Sequence, residues 1–148
     1  MRDAPDLRTA APEDLASLFE LHRMVFRSHI EKIWGWSEEW QRTNFNRLFE
    51  SSVTEVVEVA GCTVGYMQTE REAQRLYLRN IALHPGVQGL GIGTFLIRQL
   101  QQESKERGVP LELVLFRTNP RAREFYERLG FKQIGQTDAF IEMSWHAA

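Results

Sequence analysis

The chain has 148 residues, 43% of them hydrophobic, with a net charge of −2 at pH 7 and a pI near 6.1. This length and hydrophobic content fit one packed domain over residues 1–148 and exclude a disordered chain. The mildly acidic balance excludes a nucleic-acid binder that works through bulk positive charge.

Asp6 to Ala10 reads as a short first strand. Pro12, followed by Glu13 and Asp14, opens a helix, because proline is tolerated in a first turn and acids favour that end. Leu15, Leu18, Phe19, Met24 and Val25 carry the helical spacing on to about Ile33, and Gly35 interrupts it. Ser37 with Glu38 and Glu39 starts a second helix, which holds Trp40, Phe45, Leu48 and Phe49. From Thr54 the pattern changes, with Val53, Val56, Val57 and Val59 favouring strand, a turn candidate at Ala60-Gly61 and a second strand from Thr63 to Glu70. Arg75 to Leu83 is a third long strand, stopped by Pro85-Gly86.

Ile92, Phe95, Leu96, Gln99 and Leu100 then mark a one-faced helix that ends at Gly108. Leu111 to Phe116 is an apolar strand, and Asn119-Pro120 opens a helix closed by Gly130. Phe131 to Gly135 and Phe140 to Trp145 are the last two strands. The order is β-α-α-β-β-β-α-β-α-β-β, about seven strands and four helices. Strands and helices alternate only in the second half, so the fold class is α/β or α+β with a mixed sheet.

The segment HPGVQGLGIGTF, residues 84–95, places Gly89, Gly91 and Gly93 between a strand and a helix start. Free N–H groups and the helix dipole make such a junction an anion site, and glycine lets a phosphate approach. The loop lacks the lysine of a nucleoside-triphosphate loop and the spacing of a dinucleotide fingerprint. A tight turn without ligand is the competing reading.

Gln88-Gly89-Leu90-Gly91-Ile92-Gly93 resembles the [R/Q]-x-x-G-x-[G/A] signature of the GNAT superfamily of acyl-CoA-dependent N-acetyltransferases. NPRAREFYERLGF, residues 119–131, resembles that family's N-x-x-A-x-x-F-Y-x-x-x-G-F block, and IALHP resembles its fourth strand. The resemblance extends over nearly the whole chain in element order. It implies a GNAT-like fold with acetyl-CoA as cosubstrate. Backbone groups of Gln88, Gly89, Leu90, Gly91, Ile92, Gly93 and Thr94 would hold the pyrophosphate. Ile81, Ala82 and Leu83 would pair with the pantetheine arm, one of their N–H groups stabilising the oxyanion. Asn119 would touch the pantetheine, and Tyr126 would be the general acid to the departing thiolate, where its plain alternative is core packing.

An alkylammonium must lose a proton before it attacks. The position where some members carry a glutamate, five residues before the asparagine, is Val114 here. Glu112, on the same strand face, Glu31 and Glu70 are the candidate bases, beside a water relay. HIEKIWGWSEEWQ, residues 29–41, is the candidate acceptor wall: Glu31 with Trp34 and Trp36 would make an aromatic, anionic pocket for a cationic amine, or the tryptophans would simply pack on the sheet.

The resulting expectation is transfer of acetyl to a primary amine of a small molecule. The alternatives are a peptide or protein N-terminal or lysine acetyltransferase, or a non-catalytic acyl-CoA-binding module. No metal, nucleic acid or membrane is expected, and a homodimer stays open. Cys62 stands alone and the four histidines have no metal-ligand spacing. The N-terminal MRDAPDLRTA lacks a signal peptide's apolar core, so a cytoplasmic protein is expected.

Overall fold

A computed structural model describes residues 4–148. The chain runs β1 (Asp6–Thr9), α1 (Leu15–Ile33), α2 (Glu38–Ser51), β2 (Val53–Val59), β3 (Cys62–Arg71), β4 (Leu76–Leu83), α3 (Ile92–Arg107), β5 (Leu111–Phe116), α4 (Pro120–Arg128), β6 (Lys132–Gln136) and β7 (Phe140–Trp145). Seven strands form one sheet in the order β1-β2-β3-β4-β5-β7-β6. Every pairing is antiparallel except β4 with β5. The expected element order and mixed sheet are therefore what the fold contains.

The first helix begins differently from the sequence expectation. Pro12–Asp14 forms a short 3-10 turn, and the α-helix starts only at Leu15. The Asp14 carboxylate explains the break: it turns back to accept from the Ala11 amide at 2.7 Å and from Arg8 at 2.9 Å. The Ser37 start behaves as expected, its hydroxyl accepting from the Trp40 amide. Strand β6 begins one residue late, because the Phe131 amide donates to the Tyr126 carbonyl and its ring joins the core.

Each sheet face carries its own core. One face packs Leu111, Leu113, Leu115, Ile141 and Met143 against Leu96, Ile97 and Leu100 of α3 and against Tyr126 of α4. The other packs Val56, Tyr66 and Ala82 against Leu18, Phe19 and Leu21 of α1 and Phe45 of α2. The alternation of side chains along each strand divides them between these two layers.

Candidate active site

The parallel pair β4–β5 is short. Leu76, Tyr77 and Leu78 pair with Leu111, Glu112 and Leu113, and pairing stops there. From Arg79 and Val114 onward the two strands part, although β4 continues to Leu83 and β5 to Phe116. A bulge in β4 lies at the same point, since Gln68 pairs with Asn80 and Thr69 with Leu78, leaving Arg79 over. The far half of β4 thus has β3 on one side and a gap on the other.

Alternation decides which β4 groups face that gap. The His84 amide donates to the Val64 carbonyl on β3 at 2.7 Å. Backbone groups of successive residues point to opposite sides, so Ala82 turns to β3 while Ile81 and Leu83 turn to the gap. The Leu83 carbonyl fits this, because it accepts from the Gln88 side-chain amide at 2.9 Å. Of the three residues expected to pair with an extended ligand, the alternation gives two the right direction.

The glycine loop enters α3 from the end of β4. Gly89 and Gly91 adopt φ values of +77° and +89°, a region costly for side-chain-bearing residues. A Cβ at either would meet open space, so bending, not crowding, requires glycine there. Gly93 differs: it lies within the helix, and a Cβ would stand 3.4 Å from the Phe125 ring and 3.7 Å from Leu83. No side chain caps the α3 start at Gly91. The first amides of a helix have no intrahelical acceptor, so this end offers donors to an anion. Gln88, Gly89, Leu90, Gly91 and Thr94 are exposed, whereas the Ile92 side chain is buried.

Asn119 and Tyr126 follow the other strand of the gap in the chain, Asn119 at the start of α4 and Tyr126 within it. The Tyr126 ring is 7% exposed and lies 5.1 Å from Phe125 and 5.4 Å from Phe131, centroid to centroid. Its hydroxyl has no bonding partner among the described residues. Since no buried polar side-chain atom there lacks one, the oxygen meets solvent. Burial raises the Tyr126 pKa and keeps the phenol protonated. Asn119 caps α4, its Oδ1 accepting from the Ala122 amide at 3.1 Å. That use leaves its side-chain NH2 as the group to face a ligand.

The sequence pattern of the acetyltransferase (GNAT) family matches residues 15–131. The chain belongs to that family. It is 30% identical over 149 aligned residues to MJ1207, an uncharacterised N-acetyltransferase of Methanocaldococcus jannaschii, covering 93% of this chain and 65% of that one. A shorter match, 32% identical over 71 residues and covering 48% of this chain and 49% of the other, is to the ribosomal protein bS18-alanine N-acetyltransferase of Haemophilus influenzae. The chain therefore spans less than two thirds of the length of either relative. A crystal structure of PaiA N-acetyltransferase from Thermoplasma acidophilum, solved with coenzyme A, superposes with a TM-score of 0.77 at 19% identity over 97% of this chain and 99% of that one. That likeness establishes the GNAT fold.

In this GNAT chain the region at the end of β5 is aromatic. Phe116, at the end of β5, lies 5.3 Å from Phe140 and stacks with His29 of α1 at 5.6 Å. His29 Nδ1 is 2.7 Å from the Thr118 hydroxyl. Trp34 leans on Phe116 and Phe140, at 6.3 and 5.8 Å, while remaining 59% exposed. Trp36 goes elsewhere. It is half-buried beside His22, its Nε1 donates to Glu38 at 2.9 Å, and the Arg27 guanidinium covers its ring at 5.3 Å.

Glu31 is exposed and paired with Arg27 at 2.6 Å. The structure thus links Glu31 to Trp36 through Arg27, and sets Trp34 apart over the β5 end. Glu112 is paired with Arg75 at 3.2 Å and accepts from Ser144 at 3.4 Å. Glu70 is paired with Arg79 at 2.7 Å. The sequence reading missed the wall of His29, Phe116 and Phe140. Phe116 and Phe140 face each other only through the β5–β7 register, and His29 reaches them from a helix far earlier in the chain. No local motif signals such a set.

Among the described residues, no helix is long and apolar enough to cross a membrane.

Proposed function

We propose that the chain moves the acetyl group of acetyl-CoA to the primary amine of a small molecule by direct attack. The observation that carries this reading is the gap between β4 and β5, with an uncapped α3 start at one end. The pyrophosphate would rest on amides of Gln88 to Thr94, and the pantetheine would lie along Ile81 and Leu83, with the Asn119 amide across from it. A gap-facing N–H of β4 would hold the thioester oxygen as it becomes an oxyanion. One preorganised donor of this kind is worth roughly 2.7–4 kcal/mol. Tyr126 would protonate the departing thiolate, a role its burial favours by holding the phenol proton in place.

A small acceptor is supported by a shallow pocket of about 170 Å³ on the sheet face where the strands part. Its lining includes Tyr77, Val114, the Arg75–Glu112 ion pair and Glu142, whose unpaired carboxylate would attract an ammonium. Trp34 would form the outer rim, with the Glu31–Arg27 pair and Trp36 further along α1.

A second reading has its own support. The Haemophilus influenzae relative acts on a ribosomal-protein alanine, so the amine would instead be a protein N-terminus. Calorimetric titration with acetyl-CoA, followed by CoA release in the presence of alkylamines or of alanine-starting peptides, separates the two. The first reading expects binding, release with alkylamines and at least tenfold slower release with peptides. It also expects Tyr126→Phe to slow release about 100-fold at unchanged acetyl-CoA affinity. A folded protein that binds no acetyl-CoA overturns both readings.

A further inference from the structure

Val114 and Arg79 are the first residues of β5 and β4 that no longer pair across β4–β5, so they mark the vertex of the gap. Directly across the β5–β7 ladder, Val114 is the partner of Glu142. Partners in an antiparallel pair share a face, with Cβ atoms about 4.5–5.5 Å apart. Glu142 therefore stands one strand from the vertex, on the face that carries Tyr77, Glu112 and the pocket it helps to line.

The state of this carboxylate distinguishes it from its neighbours. Glu31, Glu70 and Glu112 are each held by an arginine. Glu142 has neither an ion pair nor a hydrogen-bond partner among the described residues. It leans over Gly135 of β6, where a Cβ would stand 3.0 Å from its Oε2. The missing side chain at Gly135 leaves this flexible end room to move.

We infer that Glu142 is the proton acceptor for the incoming amine, supplying from β7 the carboxylate that Val114 does not carry on β5. The inference rests on the acetyltransferase reading above. The ammonium gives its proton to the Glu142 carboxylate, and the freed nitrogen lone pair forms the C–N bond to the thioester carbonyl carbon. The C–S bond breaks with its electron pair on sulfur, the thiolate takes a proton from Tyr126, the nitrogen's surplus second proton passes through solvent to the resulting tyrosinate, and the products are the neutral amide and CoA. The proton on Glu142 returns to solvent, which the half-exposed side chain meets.

CoA release from acetyl-CoA with n-butylamine as acceptor tests this, with acetyl-CoA affinity measured in parallel by calorimetry. Glu142→Gln is expected to slow amine-dependent release at least 30-fold while acetyl-CoA affinity stays within twofold. Adding Val114→Glu to Glu142→Gln moves the carboxylate one strand over and is expected to restore release to within fivefold of the parent. Release by a folded Glu142→Gln protein within threefold of the parent overturns the inference. So does a double variant that binds acetyl-CoA but stays as slow as the single one, or a parent that binds acetyl-CoA and releases no CoA with alkylamines. A parent that binds no acetyl-CoA defeats the acetyltransferase reading itself.

Discussion

The two ends of the gap are built from different materials. The proposed cofactor end consists of backbone: the free side of β4, two left-handed glycines and the first amides of α3. The acceptor end consists of side chains gathered from α1, β4, β5 and β7. Backbone donors are fixed by local conformation and recur wherever the same turn recurs. Side-chain walls depend on strand register and helix placement, and they change with any substitution. A fold that separates the two ends can keep one cosubstrate and vary the other partner.

The largest effect should come from breaking the cofactor end alone. Gly91→Val forces a β-branched residue to φ +89°, a strain of about 1–3 kcal/mol at that position. No neighbour would clash, because a Cβ there meets open space. The expected outcome is a folded protein whose acetyl-CoA affinity falls at least 30-fold by calorimetry, while the aromatic near-ultraviolet dichroism of the α1–β5 wall is unchanged. Loss of that dichroism together with binding would mean that the two ends are not separable.

The same division explains what the sequence discloses. Gly89, Gly91 and Gly93 fall within one five-residue stretch, and Asn119 to Tyr126 are contiguous. A site made within one turn leaves its whole pattern in one short stretch, which is why these residues stand out before any coordinates. Even there, the pattern does not separate the bending role of Gly89 and Gly91 from the packing role of Gly93. The acceptor end leaves no such trace. Glu142 follows the ordinary alternation of a half-buried strand, and only the pairing of Val114 with Glu142 gives it meaning. The WGW stretch invites one shared pocket for both tryptophans, yet Gly35, at φ +82°, turns the chain between them and sends their rings to different partners.

Asn119 tests the boundary between the two materials, with an intermediate effect. Its Oδ1 caps α4, and its side-chain NH2 would face the cosubstrate. Asn119→Ala removes both and should cost about 1 kcal/mol of stability, the usual value of a lost cap. Asn119→Asp keeps a cap oxygen and removes the NH2 group. Urea unfolding should therefore rank the parent with the Asp variant and above Ala, while acetyl-CoA affinity should fall in both. An Asp variant that binds like the parent would confine Asn119 to capping and leave the cofactor end wholly backbone.

The smallest effect at neutral pH lies beneath the acceptor end, at His22. Its ring is packed with Phe19, Phe26, Trp36 and Phe45, with Nε2 donating to Gln41 Oε1 at 3.0 Å. Burial lowers its pKa, only partly opposed by the Gln41 bond. The folded state thus prefers the neutral ring, while the unfolded chain takes up a proton below its ordinary pKa of about 6.5. More protons bound when unfolded means that stability rises with pH, so this contribution is complete above about 6.5 and is lost as pH falls toward the depressed folded value. His29, also lowered by burial and by Lys32, adds in the same direction. Asp14, held at about 2 by Arg8 and the Ala11 amide, titrates below this window. The urea midpoint should drop between pH 7.5 and pH 5.5, and His22→Gln should reduce that drop. An equal drop in the variant would move the titration to His29 and the open aromatic wall, placing the pH sensitivity in the acceptor surface itself.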